Sequence, residues 1–309
     1  HMRPFLTVYG HVCLDQIMSL QHFPEPNTSV DILEKHRYYG GTGANIATVA
    51  ASLGVPTSLC SFVGPDLPPD FRCFMEDRGV DLSGVKTVEG YETSTVLLVT
   101  DSKEDQVAFV YQGPMRDMGK FPVNAAAVRD SRFVHISTGR PEHYLPLMEE
   151  CRRLEKDLSF DPAQEIHHIW DQDSFRRALP LADRFFCNRN ELRTALNYMG
   201  ATSPEALLGD VSTIINTCGA AGSLVFTGKG TWAVPAAKPT RVVDPTGAGD
   251  AFRAGFYAGQ YYGHGLLESV AYGCATASFV LETRGSLTNI PTWEMVEDRA
   301  EPVLSRLPG

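Results

Sequence analysis

Residues 244–256 read DPTGAGDAFRAGF, so glycines and a carboxylate stand directly ahead of an apolar run with helical spacing. The first backbone N–H groups of a helix have no partner inside it, and together with the helix dipole they attract an anion. Glycine lets a phosphate group approach such a backbone closely. A carboxylate at this place, Asp250, fits a general base that takes a hydroxyl proton beside an incoming phosphoryl group. In the alternative interpretation, Asp250 is only an N-cap and the glycines form only a tight turn.

A second glycine-rich turn precedes a helix at residues 38–47, YYGGTGANIA. Asn45 would lie in the first turn of that helix, where its amide can both donate hydrogen bonds to sugar hydroxyls and accept them. Glycine-rich turns before helices also occur for packing alone, and by itself this motif leaves both interpretations open.

Two familiar nucleotide-binding motifs are excluded by inspection. The first apolar strand runs into GHVCLD rather than G-x-G-x-x-G, which disfavours a dinucleotide-binding fold. Residues 222–230, GSLVFTGKG, have five residues between the glycines and a glycine after the lysine, so they do not form a P-loop. Any phosphate group must therefore be held in another way.

The stretch FDPAQEIHH at residues 160–168 ends an apolar strand at Asp161. Because the carboxyl ends of strands line the ligand crevice in open α/β sheets, Asp161 is expected at such a crevice. The H-E-x-x-H spacing of a zinc site is absent. We interpret His167 and His168 as surface residues.

The residues NRNE at 188–191 follow the strand RFFC and open a helix. Asn188 and Glu191 fit a capping box. They fit equally well a pair that holds a Mg²⁺-bound water, because Mg²⁺ keeps several waters and takes few direct carboxylates. The residues alone leave the two interpretations open.

Composition limits the class of protein. The chain of 309 residues has a formal net charge of −10 and no cluster of Lys and Arg, which argues against nucleic acid as a partner. No apolar run of 18 residues indicates a membrane span. The seven cysteines are widely spaced and form no C-x-x-C pair, as expected for buried, reduced thiols. These features predict a cytoplasmic, enzyme-sized protein without a nucleic-acid or membrane partner.

Continuous apolar strands alternate with helices from residue 132 onward, which predicts an α/β fold with a mostly parallel sheet covered on both faces. Segments near 12–38 and 88–113 are half polar and do not fit this alternation, and residues 93–113 are typical of an antiparallel hairpin. The two segments together predict a small β-sheet lid outside the main layers. No linker divides the chain, so residues 1–309 are expected to form one domain. The helices are predicted at 42–54, 67–79, 142–157, 173–180, 190–199, 249–262, 266–281 and 292–307.

Residues 40–64 and 244–256, taken together, resemble the two signatures of the ribokinase-like (PfkB-type) sugar and nucleoside kinases. The first signature fits throughout. The second fits through Gly255 and Phe256, with Tyr257 where a smaller aliphatic residue is usual. The resemblance implies a ribokinase-like three-layer α/β/α domain with a β-sheet lid. It also implies ATP as phosphate donor and Mg²⁺ as cofactor.

The resemblance further implies roles for individual residues. Asp250 would be the catalytic base, and its amide would complete an anion hole with the backbone of Gly247, Ala248 and Gly249. The residues assigned to the acceptor sugar are Asp15, Gly41 and Asn45. The residues assigned to ATP and magnesium are Asn188, Glu191, Thr217, Gly219 and Gly222. Magnesium would be held through the phosphates and Glu191, without direct protein ligands.

Shorter stretches, QGPM at 112–115 and STG…FDPAQEIH at 137–167, look most like the archaeal broad-specificity nucleoside kinases. Ribokinases usually have Asn where Cys13 stands here. On this likeness the residues facing a nucleoside would be Asp31, Gln112, Met115 and Gln164, and Arg116 would reach the ATP phosphates. A monovalent cation beside Asp244 and Thr246, as in some relatives, is left open.

The expected reaction is transfer of the ATP γ-phosphoryl group to the 5′-hydroxyl of a ribonucleoside. A ribokinase or another sugar kinase is the alternative enzyme. A catalytically silent ligand-binding regulator on a kinase fold is the alternative from another class. A homodimer formed through the lid is a further expectation.

Overall fold

The computed structural model describes residues 3–309. Its strands, in chain order, are β1 (Leu6–Tyr9), β2 (Cys13–Ser19), β3 (Glu34–Gly40), β4 (Thr57–Val63), β5 (Val80–Thr87), β6 (Thr95–Thr100), β7 (Gln106–Tyr111), β8 (Phe133–Ile136), β9 (Asp157–Phe160), β10 (Arg184–Asn188), β11 (Thr213–Thr217), β12 (Ser223–Thr227) and β13 (Gly230–Val234). They form a nine-stranded sheet in the order β13-β12-β11-β10-β9-β8-β1-β4-β5 and a four-stranded sheet in the order β3-β2-β6-β7. In the large sheet only β12 pairs with its neighbours in antiparallel fashion, so the predicted, mostly parallel sheet is confirmed.

The helices, in chain order, are α1 (Thr42–Ser52), α2 (Pro69–Asp77), α3 (Ala126–Arg129), α4 (Pro141–Arg153), α5 (Gln172–Ala178), α6 (Arg189–Met199), α7 (Ala248–Tyr261), α8 (Leu266–Val280) and α9 (Trp293–Leu304). Each of the predicted helices is present, and their ends differ from the prediction by a few residues. Within residues 3–309 no helix has both the length and the apolar character needed to cross a lipid bilayer.

The large sheet is covered by helices on both faces. Neighbouring residues of a strand point to opposite sides, so each strand contributes to two hydrophobic cores. Phe186 and Ile215 belong to the core beneath α1, α7 and α8. Phe185 and Ile214 belong to the core beneath α4, α5 and α6. This arrangement confirms the predicted three-layer α/β/α fold.

The small sheet lies outside these layers and contains the strands of the two half-polar segments. β2 pairs in parallel with β6 and in antiparallel fashion with β3. β6 and β7 form the predicted hairpin, with Leu97 opposite Phe109. Three residues separate the end of β1 from the start of β2, so the small sheet projects from the carboxyl edge of the large one. We call this four-stranded sheet the lid.

Two strands of the large sheet were not predicted. β5 and β13 are its edge strands, and exposed or half-exposed residues interrupt their buried positions. An edge strand that buries only part of its side chains has no continuous apolar run, which is the signal that revealed the central strands.

Glycines allow α7 and α8 to pack in close contact. A Cβ atom added to Gly255 would lie 2.3 Å from Thr276 Oγ1 and 2.7 Å from the Tyr272 carbonyl oxygen, and one on Gly259 would lie 2.8 Å from Ser269 Cα. A larger side chain at either position would push the two helices apart. The contact therefore fixes the position of α7, which carries Asp250 in its first turn.

We expect Gly255→Ala to destabilise the protein although alanine favours helix. The overpacked methyl group should cost about 1–3 kcal/mol, against a gain of about 1 kcal/mol from helix propensity. Urea denaturation measures the free energy of unfolding. Gly209→Ala is the matched control, because its Cβ would meet nothing within 4 Å. Equal or higher stability of Gly255→Ala would contradict the close contact of the two helices.

Candidate active site

The first turn of α7 shows what Asp250 does in the structure. The N-cap is Gly247, whose φ of 82° is left-handed and which offers no side chain for capping. Asp250 lies inside the first turn, and its Oδ2 accepts a hydrogen bond of 2.9 Å from Asn45 Nδ2. The interpretation of Asp250 as a plain N-cap is therefore wrong.

Three of the four backbone donors in the predicted anion hole are free. Within residues 3–309 the N–H groups of Gly247, Gly249 and Asp250 meet no hydrogen-bond acceptor, whereas Ala248 N donates to the Pro245 carbonyl at 3.1 Å. The predicted anion hole thus has three open amides, while the Ala248 amide already closes a turn. Free amides at the positive end of a helix dipole favour an anion at this point.

Asp15, Gly41 and Asn45 meet at the junction of the lid and α1. Asp15 lies on β2 with its carboxylate against Gly40, where a Cβ atom would come within 2.2 Å of Asp15 Oδ2. Gly41, the N-cap of α1, has a φ of 97° and accepts a hydrogen bond of 2.8 Å from Asn45 N. Asn45 in turn contacts Asp250, so the start of α1 connects Gly41 to the first turn of α7.

Burial changes the pKa of the Asp250 and Asp15 carboxyl groups. Removal from water raises the pKa of Asp250 to about 7, although the hydrogen bond from Asn45 and the charge of Arg253 oppose this shift. Burial likewise raises the pKa of Asp15 to about 6. A carboxyl group whose pKa lies near neutrality can both take up and release a proton at ordinary pH, as a general base must.

Three of the predicted nucleotide residues border a cavity of about 550 Å³ that reaches α7. Thr217, at the end of β11, lines it together with Gly219 and Gly222 of the following turn, and Ala248 and Gly249 line its other side. A Cβ atom on Gly222 would lie 2.2 Å from a carbonyl oxygen of the neighbouring chain segment, so only glycine fits there. The turn and the start of α7 at Ala248 and Gly249 thus border one space, which fits a nucleotide with its phosphates toward α7.

Asn188 and Glu191 form the capping box of α6. Asn188 Oδ1 accepts from Glu191 N at 2.8 Å, and Glu191 Oε1 accepts from Asn188 N at 3.0 Å. No hydrogen bond from residues 3–309 reaches Glu191 Oε2, and burial raises the pKa of this carboxyl group. One oxygen therefore caps the helix and the other remains available, which fits a water-mediated magnesium site. That role stays a prediction.

A polar network that the sequence did not reveal holds Gln112. Its Oε1 lies 2.6 Å from His11 Nε2, and its Nε2 donates to Glu165 Oε2 at 3.3 Å. His11 Nδ1 lies 2.6 Å from Thr138 Oγ1, and Glu165 Oε1 accepts from Gly139 N at 2.7 Å. Because a carboxylate only accepts, Glu165 fixes the amide group of Gln112 in one orientation.

The remaining predicted nucleoside contacts are more scattered. Asp31 is exposed in the connection between β2 and β3, and Gln164 is exposed in a short 3₁₀ turn. Met115 is buried, and its sulfur accepts from the Ser61 hydroxyl at 3.8 Å. Arg116 is exposed and lines a different cavity from the one that Gly249 lines. The structure does not bring these side chains to Asp250, and their roles stay predictions.

Asp161 does not line a crevice as expected. It is 1 % exposed, and its carboxylate accepts from Arg253 Nε at 2.6 Å and from Arg253 Nη2 at 3.1 Å. His135 Nε2 lies 2.9 Å from the same carboxylate. Burial alone would raise the pKa of Asp161, but Arg253 and His135 hold it at about 2. The buried Arg253 of α7 thus covers the end of β9. In the sequence, the position of this arginine inside the apolar run AFRAGF was the sign that its side chain is buried.

Asp244 accepts hydrogen bonds from Thr246 N at 3.0 Å, from Thr246 Oγ1 at 2.7 Å and from Gly285 N at 3.0 Å. Burial raises the pKa of Asp244, but these hydrogen bonds outweigh it and lower the pKa below the usual value. A monovalent cation at this carboxylate stays a prediction.

Comparison with known proteins shows which family this chain belongs to. Residues 3–293 match the pfkB family carbohydrate kinase. A nucleoside kinase of Methanothermobacter thermautotrophicus is 34% identical over 93% of this chain and 92% of its own length. A nucleoside kinase of Methanocaldococcus jannaschii is 33% identical over 96% of both chains.

Solved structures agree with this assignment. The crystal structure of the M. jannaschii nucleoside kinase, described as an archaeal member of the ribokinase family, superposes with a TM-score of 0.88 over 96% of this chain and 98% of that one. A Burkholderia thailandensis nucleoside kinase in complex with inosine has a TM-score of 0.88 over 98% of this chain and 100% of that one. At 23% identity it shows the shared fold alone.

The expected family and fold are confirmed: this chain belongs to the pfkB family of carbohydrate kinases, has the ribokinase fold, and is a phosphotransferase that acts on a hydroxyl group.

Proposed function

We propose that the protein transfers the γ-phosphoryl group of ATP to the 5′-hydroxyl of a ribonucleoside. The observation that carries the proposal is the Asp250 carboxylate, held by Asn45 at the start of α7 beside free backbone amides. A hydroxyl group placed there would meet a base and an anion site together. The names of the two archaeal relatives support a nucleoside as the acceptor.

The acceptor would lie against the surface formed by Asp15, Gly41 and Asn45, with its 5′-hydroxyl toward Asp250. The Asp15 carboxylate would accept hydrogen bonds from ribose hydroxyls. The base of the nucleoside would extend toward Gln112, whose amide is held in a fixed orientation by Glu165. Met115, Gln164 and Asp31 are proposed as further contacts once the lid closes.

The donor would occupy the cavity lined by Thr217, Gly219 and Gly222. Asp250 would take the hydroxyl proton as the phosphoryl group moves, and the amides of Gly249 and Asp250 would stabilise the charge on the phosphoryl oxygens. Magnesium, held through the phosphates and a water on Glu191, would supply further neutralisation of that charge.

Lid closure would exclude water and limit hydrolysis of ATP. β2 carries Asp15 and belongs to the lid, so a movement of this sheet would carry an acceptor contact with it. We propose that Arg116, which is exposed on the 3₁₀ turn after the lid, reaches the ATP phosphates only in the closed form. A cytoplasmic location is part of the same proposal.

We expect Asp250→Asn to lower kcat by about 10²- to 10⁴-fold, the usual worth of a positioned base. ADP release with Mg·ATP would be measured for adenosine, inosine, guanosine, cytidine, uridine, ribose and fructose 6-phosphate. Turnover of nucleosides that the variant loses supports the proposal. Turnover of sugars alone would assign the protein to the sugar kinases, and silence with every acceptor would favour a regulator.

The pH dependence of kcat/KM follows from the pKa of Asp250. The base must be deprotonated, so activity should fall about tenfold per pH unit below pH 7 and level off above it. Asn45→Leu removes a hydrogen bond that stabilises the charged carboxylate, and the acid limb should then move to higher pH. If the acid limb of the wild-type kcat/KM profile had its midpoint near pH 4, the assignment of Asp250 as the base would be contradicted.

We further propose that two copies associate through the lid. β7 is an edge strand with an unpaired side, and its Phe109, Val110 and Tyr111 are largely exposed. An exposed apolar edge of this kind is usually covered by a partner.

Light scattering after gel filtration tests the association. The wild type should elute as a dimer, and Phe109→Glu should elute as a monomer at the same concentration. Met295→Glu on α9 is the control, since this exposed apolar side chain lies outside the lid. A monomeric wild type, or equal loss of the dimer in both variants, would refute the lid interface.

A further inference from the structure

Arg253 of α7 makes buried contacts that have no part so far in the proposed reaction. Its guanidinium group contacts Asp161 through Nε and Nη2, and its Nη1 donates to the Gly249 carbonyl at 2.9 Å. Arg253 is 5 % exposed, so it faces the protein interior rather than solvent. One side chain therefore links the strand end after β9 to the peptide group between Gly249 and Asp250.

The link to Gly249 has a consequence for the anion hole. In a planar trans peptide the carbonyl and the following N–H point in opposite directions. When Arg253 holds the Gly249 carbonyl, it also sets the direction of the Asp250 N–H. That N–H is one of the free donors at the start of α7.

A second contact fixes the rotation of α7 about its own axis. His135 Nε2 lies 2.9 Å from Asp161, and its Nδ1 lies 2.6 Å from the hydroxyl of Tyr257, one helical turn beyond Arg253. Burial lowers the pKa of His135, and its two ring nitrogens face one partner each, so the ring joins Asp161 to Tyr257. Asp161 therefore anchors α7 at two successive turns.

We propose that Arg253, anchored on Asp161, is a positioning residue for phosphoryl transfer: it orients the Gly249–Asp250 peptide so that the Asp250 amide points at the transferred group. The arginine touches neither substrate. Its planar fork contacts a carboxylate and a carbonyl at once, which a lysine ammonium on a flexible stem does not reproduce. This role relies on Asp250 as the base but not on the identity of the acceptor.

Several groups around Asp250 act on its charge. Two variants of Arg253 can therefore separate the effect of this arginine on peptide orientation from the effect of its positive charge. Arg253 lowers the pKa of Asp250, whereas Asp161 and Glu191 raise it, and Asn45 supplies a neutral hydrogen bond. Arg253→Lys keeps the positive charge and loses the fork. Arg253→Met loses both.

The test compares these two variants with Arg184→Met. Arg184 is also buried and bonds Asp157 at 3.1 Å and Ser159 at 2.9 Å, but it contacts neither Asp161 nor Gly249. For each protein, kcat, the KM of the acceptor, the pH profile and the free energy of unfolding are measured. The acceptor is whichever nucleoside or sugar the wild type phosphorylates, so a wrong nucleoside assignment does not affect the result.

We expect Arg253→Lys to lower kcat by about 10²-fold, as for loss of one oxyanion donor, with little change in the KM of the acceptor and an unshifted acid limb. Arg253→Met should lose at least as much kcat and show an acid limb at higher pH. Arg184→Met should keep kcat while losing stability. Wild-type kcat in Arg253→Lys would overturn the proposal, as would kcat losses in all three variants that follow the unfolded fraction.

A binding measurement tests the same role without turnover. The Kd of ADP is compared with that of ADP plus aluminium fluoride, magnesium and acceptor, since the fluoride complex mimics the transferred phosphoryl group. The wild type should bind the fluoride complex more tightly than ADP, and Arg253→Lys should lose that difference while keeping the Kd of ADP. An equal difference in both proteins, or none in the wild type, would overturn the proposal.

Discussion

The hydrogen bond between Asn45 and Asp250 joins the first turns of two helices that stand far apart in the sequence. α1 follows the lid strand β3, and α7 is the first helix of the packed α7–α8 pair, so this contact joins the side of the proposed site next to the lid to the start of α7. The positive ends of both helix dipoles meet at one carboxylate. The free amides at the start of α7 lie beside this carboxylate, which we propose as the base.

The two aspartates around α7 show how burial and pairing decide the charge of a carboxyl group. Burial acts on both and raises the pKa of each. Asp161 has an arginine fork and a histidine, which hold its pKa at about 2. Within residues 3–309 only the Asn45 amide donates a hydrogen bond to the Asp250 carboxylate, and the pKa of Asp250 rises to about 7. The first carboxylate is a fixed charge that holds structure, and the second can exchange a proton.

The parts of the fold that the sequence predicts are those with a local signal. The central strands are continuous apolar runs, and the start of α7 has its glycines in one short stretch. The edge strands β5 and β13 lack such a run because part of each strand is exposed. Asp161 was placed wrongly for a different reason: its partner, Arg253, lies 92 residues away, and only the folded chain brings the two together. The Gln112 network was missed for the same reason, because Glu165 and His11 come from separate segments.

The charge of the site limits how the proposed reaction can proceed. Asp161 and Glu191 place negative charge near Asp250, and the buried cation beside them, Arg253, is already paired with Asp161. A triphosphate brought into this space adds further negative charge, and the free amides of α7 supply only partial charges against it. The rest of the positive charge needed to neutralise the triphosphate has to come with the substrate or with closure of the lid. Magnesium bound to the phosphates would supply the positive charge that comes with the substrate. Arg116, which we propose to reach the phosphates only in the closed form, would supply the charge that comes with closure. The reaction should therefore be competent only when donor, metal and closed lid are present together.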